Sequence, residues 1–215
     1  MHCVVVVILL LTYAAPSIAG DCGHLDFIRN FRKYNEVTFS GYYFHPDHCF
    51  SVTIPKGVVG RESLQPSSHH GFGALLPNDR GMDYLLVQGD WGAILDEPQD
   101  IPGSLNQVVS LRLQMITESN AQVLKKDVTD TVLADVQAKH LVVLYKCNDT
   151  GMLFWEDNII AIDNSGTIYE IVLYASPKTY ETSRSIRDRI VRTWKLERKK
   201  CEEGFQKRLR ESPNK

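Results

Sequence analysis

Four histidines fall in two turn-like stretches of the chain: His45 and His48 in His45-Pro46-Asp47-His48-Cys49, and the pair His69-His70 just ahead of an apolar run. Imidazole and carboxylate groups are common metal ligands, so two such turns brought together would supply a metal site and, with it, a route to hydrolysis. The competing reading is that turns collect His and Asp for their backbone habits, and that neighbours such as His69 and His70 point to opposite faces of a strand. A second set of chemical groups is Glu156, Asp157 and Glu170, three carboxylates that interrupt apolar stretches. They would serve acid/base work as a pair, or else mark a bulge or an exposed strand end.

Nucleophile motifs are missing from the sequence: there is no G-x-S-x-G elbow, no H-E-x-x-H and no phosphate-binding loop, and Gly71-Phe72-Gly73 lacks the rest of a dinucleotide fingerprint. A Cys–His dyad through Cys49 or Cys147 would be silenced by disulfide bonding. No cofactor is implied, and an enzyme is the lesser expectation.

The cysteines belong with the front of the chain. Val4 to Leu11 is an apolar run too short for a bilayer, followed by Ser17-Ile18-Ala19, so residues 1–19 read as a signal peptide cleaved after Ala19. Its removal leaves Cys22, Cys49, Cys147 and Cys201, an even number that predicts a disulfide framework with three possible connectivities; buried free thiols are the alternative. Secretion, or export to a periplasm, follows from the same reading. Asn148-Asp149-Thr150 is a glycosylation sequon, and no later segment has transmembrane length.

Charge is divided unevenly. Residues 178–215 hold 13 Lys or Arg against 6 Asp or Glu, a net of +7, while the whole chain carries −2. A basic helix suits an acidic partner, a membrane surface or a nucleic acid, and a solvated helix face is the plainer account. Export argues against nucleic acid. The surfaces expected to meet another protein are the Gly89–Gly103 connection, around Asp90 and Trp91, and the basic helix with Arg187, Arg192, Lys195 and Arg198.

These residues need elements to hold them. From His140 to Ser176 three apolar segments are cut by Asn148-Asp149-Thr150-Gly151 and Asp163-Asn164-Ser165-Gly166, which predicts a three-stranded antiparallel meander. Leu141 to Tyr145 is apolar at odd and even positions alike, so the sheet must be covered on both faces. Further strands are expected at 41–44, 49–54, 71–76, 83–88 and 122–128, with a loop from 55 to 68 from which Val58 and Leu64 can dock, and 131–137 is ambiguous. A short helix is expected over His24–Tyr34. Ser104 with Gln107 forms a capping box for a helix to Ile116, and Arg112 in its apolar arc calls for a carboxylate partner. Ser176-Pro177 suits a second helix start, and an unbroken helix would turn Cys201 inward.

Phe50-Ser51-Val52-Thr53-Ile54-Pro55-Lys56-Gly57, His70-Gly71, the loop and helix to Ile116, the two hairpins and the helix through Trp194 give an order that resembles the Mog1/PsbP-like fold over roughly residues 40–196. The resemblance implies an antiparallel sheet between helices, in a group whose members mostly bind proteins: extrinsic photosystem subunits, partners of a small GTPase, and secretion-linked adaptors. The four cysteines and the basic tail depart from that pattern. The expected molecule is thus an α+β domain over residues 20–196, with six to seven antiparallel strands covered by helices on both faces and a basic helical tail at 197–215. It is expected to be an exported non-enzymatic protein-binding or adaptor module; the alternative is a hydrolase built on His45, His48, His69 and His70.

Overall fold

The computed structural model describes residues 36–63, 70–77, 83–91 and 101–203. The expected signal peptide, the helix expected at His24–Tyr34, Cys22, Leu64, His69, most of the 89–103 connection and the end of the tail lie outside the described residues.

Eleven strands follow in chain order: β1 (Glu36–Phe39), β2 (Gly41–His45), β3 (Phe50–Ile54), β4 (Gly60–Ser63), β5 (Gly71–Leu75), β6 (Tyr84–Trp91), β7 (Ala121–Leu133), β8 (Val136–Cys147), β9 (Leu153–Ile162), β10 (Thr167–Ala175) and β11 (Lys195–Leu196). Two helices are interposed, α1 (Ile101–Glu118) before β7 and α2 (Tyr180–Thr193) before β11. An antiparallel sheet of eight strands, ordered β1-β4-β5-β6-β10-β9-β8-β7, is accompanied by a three-stranded sheet, β11-β3-β2.

The meander is present as β8, β9 and β10. Its turns use Gly151 at φ 68° and Gly166 at φ 81°, a backbone region that glycine enters without steric cost. Two-sided burial is also as the apolar run required. On one face Leu141, Val143, Tyr145, Phe154, Ile160 and Ile162 pack with Leu105, Val109 and Ile116 of α1. On the other, Ile159, Ala161, Tyr169, Ile171 and Leu173 pack with Phe50, Val52 and Ile54 of the small sheet and with Ile186, Ile190 and Trp194. Alternation along each strand puts consecutive residues on opposite covers.

Several expectations are corrected. The large sheet has eight strands rather than six to seven, because Gly60–Ser63, read as loop, pairs with Glu36–Phe39. Val58 is buried as expected. The ambiguous 131–137 stretch is a hairpin, with Ala134 at φ 50° between the ends of β7 and β8. Helix α1 starts at Ile101, ahead of the Ser104 capping box, since Pro102 lacks only an N–H that a first turn leaves unpaired. Helix α2 starts at Tyr180: Ser176 and Pro177 form the turn leading in, where the Ser176 and Thr179 hydroxyls lie 2.7 Å apart. Buried Asp83 anchors that entry, accepting from the Ser176 backbone N–H at 3.2 Å and from the Ser183 hydroxyl. Finally, α2 ends at Thr193 with Trp194 as its extended cap, and β11 follows, so Cys201 stands on a separate helical stretch, 198–203, rather than on an unbroken continuation of α2.

Candidate functional site

Most of the residues singled out from the sequence meet at one end of the large sheet. The β2–β3 turn lays the buried His45 and His48 rings 4.9 Å apart, and His70 stacks beyond His48 at 5.6 Å. The two histidine turns therefore do meet. The His48 backbone N–H donates to His45 Nδ1 at 3.2 Å, which holds the turn, and Asp90 at the end of β6 stands 3.8 Å from His70 Nδ1. Strand β6 passes so close that a Cβ at Gly89 would lie 2.7 Å from the His48 Cβ, so only glycine fits there. Among the described residues no group of three or more His, Cys, Asp or Glu is placed to hold a metal.

The C-terminal segment closes over this corner. Cys49, at φ 56°, is disulfide-bonded to Cys201 across 152 residues. The Glu197 N–H donates to the Cys49 carbonyl at 2.6 Å, and the Ser51 hydroxyl donates to the Glu197 carboxylate at 2.9 Å. Lys200 lies over the Phe44 ring at 4.0 Å and reaches the Tyr42 hydroxyl at 3.1 Å. Arg198 donates to Asp163 of the β9–β10 turn at 3.0 Å. Buried Tyr169 ties the layers, its hydroxyl 3.1 Å from both the His48 carbonyl and Asp163; burial pushes that phenol well above its ordinary range, so it remains a donor.

Asp90 is 57% exposed, and the segment that closes over the β2–β3 turn exposes Lys195, Arg198, Lys199 and Lys200. Arg192 is exposed on α2. Arg187 is corrected: it is 2% exposed and donates to Asp157 at 2.6 Å, so it is core rather than contact surface. The 100° step from Tyr180 puts it inside the apolar stripe with Ile190 and Trp194, and the carboxylate facing it from β9 compensates its burial.

The three strand carboxylates are divided by alternation. Asp157 faces α2, where it takes His140 Nε2 at 2.6 Å and the Tyr180 hydroxyl at 2.7 Å besides Arg187. Glu156 and Glu170 face α1. Arg112 finds the carboxylate its position demanded, Glu156 at 2.6 Å, and also donates to the Tyr174 hydroxyl. Burial pushes Glu156 up from the usual carboxylate range against the pull of Arg112, with Glu170 adding to the rise. Of the remaining cysteines, Cys147 is disulfide-bonded too and sits in the α1-side core. Asn148, in the sequon, is exposed and donates to the Asn120 side-chain oxygen at 3.0 Å.

The histidine row makes stability pH-dependent. Burial, reinforced by His45 and His70, lowers His48 from 6.5 to about 4. The unfolded chain therefore binds the extra proton first, and stability falls as pH drops from about 6.5 to 4, by about 3 kcal/mol in full. Urea titrations at pH 7.5, 6 and 4.5 are expected to show this slope, and His48→Gln to flatten it.

No family model matches the sequence, and no curated protein matches it. Among solved structures, the cyanobacterial PsbP of Synechocystis sp. PCC 6803 aligns over 75% of this chain and 92% of its own at 12% identity, TM-score 0.47. The Ran-binding protein Mog1p of Saccharomyces cerevisiae aligns over 76% of this chain and 96% of its own at 11% identity, TM-score 0.46. The chain is similar to these two structures in the course of its backbone. LpqN of Mycobacterium tuberculosis, involved in cell envelope biogenesis, aligns over 79% of this chain and 94% of its own at 15% identity, TM-score 0.40. At such identities the Mog1/PsbP-like likeness is one of chain course and says nothing of what this protein binds. No helix among the described residues is long and apolar enough to cross a membrane.

Proposed function

We propose that this protein is an exported, non-enzymatic protein-binding module, and that its contact surface is the sheet end where the C-terminal segment crosses the β2–β3 turn. The observation that carries this reading is the fixing of a basic segment in one place. A disulfide, the Glu197 backbone bond and the Arg198–Asp163 pair hold the segment with the exposed Lys195, Arg198, Lys199 and Lys200 against the β2–β3 turn and the β9–β10 turn. Ordering long basic side chains in advance lowers the entropy lost on binding, and a cationic ridge of this kind suits a partner with an acidic surface. The signal peptide expected from residues 1–19 and the disulfides agree with a partner outside the cytosol.

Affinity capture from the native exported fraction tests the proposal. Lys195→Glu with Lys199→Glu is expected to weaken partner retention at least tenfold and to make the remainder more sensitive to salt, with the melting temperature unchanged. Retention untouched by this double charge reversal and by Trp91→Ala would remove the sheet end from the account.

A further inference from the structure

Strand β7 ends the order of the large sheet, paired with β8 on one side and with no strand on the other among the described residues. Every residue from Leu124 to Asp130 is exposed. Three of the eight exposed large hydrophobic side chains among the described residues, Leu124, Val128 and Val132, lie on this one strand, so exposed apolar surface is concentrated there. An open edge also turns the N–H and C=O groups of alternate residues outward, a template for another strand.

Lysines and bulges commonly keep such edges apart, and β7 has both: Lys125 and Lys126, and a register shift between Val123 and Lys125. Its charges are nonetheless of both signs, and their order is self-complementary. Two copies of β7 paired antiparallel about a twofold axis set residues of the same parity opposite one another, since only those share a face of the joined sheet. With the axis at Val128, Val128 meets itself, Lys126 meets Asp130, Asp127 meets Thr129 and Lys125 meets Thr131. Beyond them, Leu124 of one copy approaches Val132 of the other at each end. An axis at Lys126, Asp127 or Asp130 sets that charged residue against itself, and one at Thr129 sets Val128 against Asp130. Opposite charges and apolar pairs across two strands are stabilising and like charges destabilising, so the axis at Val128 is favoured over these four. Lys126, Val128 and Asp130 lie in register with Val143, Leu141 and Lys139 of β8, on the α1 side of the sheet, and all three are exposed, so α1 does not cover them. Asp130 already takes Lys139 at 2.6 Å, yet at 87% exposure its carboxylate keeps lone pairs for a second cation.

The geometry points to a second copy of this chain as the partner of this edge, the two β7 strands pairing antiparallel about a twofold axis at Val128 so that the two large sheets become one. The surface shares no residue with the basic ridge, and neither reading depends on the other. Sedimentation of the full disulfide-bonded chain over a concentration series is expected to show a reversible monomer–dimer equilibrium. Lys126→Asp sets two carboxylates opposite at two symmetric places, and Asp130→Lys two ammonium groups. Each is expected to weaken the dimer at least tenfold, and the two combined to recover it to within a few-fold. Val128→Cys puts two thiols opposite at the axis, close to disulfide reach, and is expected to give a reducible covalent dimer under mild oxidation. Lys125→Cys, whose two copies stand far apart in this register, is expected to give none. A monomer at every concentration, a dimer indifferent to the single charge reversals, no recovery in the double variant, or equal linking through both cysteines overturns the proposal.

Discussion

Replacing Asp157 with alanine is expected to destabilise the protein by about 3–5 kcal/mol, the usual cost of breaking a buried ion pair by removing one member. The carboxylate has no exposure and takes hydrogen bonds from His140, Tyr180 and Arg187, each between 2.6 and 2.7 Å. Its loss leaves the Arg187 guanidinium, 2% exposed, with Asp188 as its other acidic neighbour, 3.2 Å from Nε and half in solvent. Against a total stability of about 5–15 kcal/mol, such a loss populates unfolded chain at ordinary temperature. Asp157→Asn keeps the shape and removes the charge, so it tests the electrostatic share by itself. If the cost is chiefly the stranded cation, adding Arg187→Met to Asp157→Ala restores part of the stability; additive losses in urea unfolding would assign it to packing instead. Although burial alone would raise it, His140, Arg187 and Tyr180 hold the Asp157 carboxyl below its ordinary 3.8. Its contribution is thus present above that pH and is lost as the solution is acidified further, a window below the one set by His48.

The same pair shows what the sequence could and could not display. Alternation states that Glu156 and Asp157 face opposite covers, and the 100° helical step places Arg112 inside an apolar arc, so the Arg112–Glu156 pair was legible from one side. Arg187, seven residues from both Tyr180 and Trp194, lies inside the apolar stripe of α2 by the same step, but its partner was not legible, because nothing local marks the register at which α2 meets β9. The meander was legible since each turn carries its own signal, Gly after Asn, Asp, Ser or Thr. Strands β1 and β4 were not: Gly60-Arg61-Glu62-Ser63 has no apolar alternation, and its ladder exists only because β5 and Glu36–Phe39 offer edges on either side. Strand β6 likewise continues through Gly89 and Asp90, which read as the start of a long connection, because Thr167 to Tyr169 of β10 supply partners there. At the candidate site, the residue types were visible in the two histidine turns and the basic segment. Their convergence depended on a disulfide whose pairing no spacing specifies.

Removing that disulfide, as Cys49→Ala with Cys201→Ala, is expected to cost about 2–5 kcal/mol and to lower the melting temperature by about 5–15 °C. The bond spans 152 residues, so the unfolded chain it restrains is nearly the whole domain, and loop-closure entropy alone gives about 5 kcal/mol as the upper end. A second consequence separates an effect on the unfolded state from one on the site. Between Trp194 and Cys201 the chain is held by the β11 pairing, the Glu197 contacts to Cys49 and Ser51, the Arg198–Asp163 pair and Lys200 over Phe44. Exposed ion pairs and single hydrogen bonds of this kind are each worth about 1 kcal/mol or less. Without the covalent link the basic segment should open locally well before the sheet unfolds. Brief trypsin treatment of the double variant is then expected to cut at Arg198, Lys199 or Lys200 while the core stays intact, and partner retention should fall in parallel. If the segment stays protected while stability drops, the disulfide acts on the unfolded chain alone, and the preordering assigned to the basic ridge belongs to the weaker contacts.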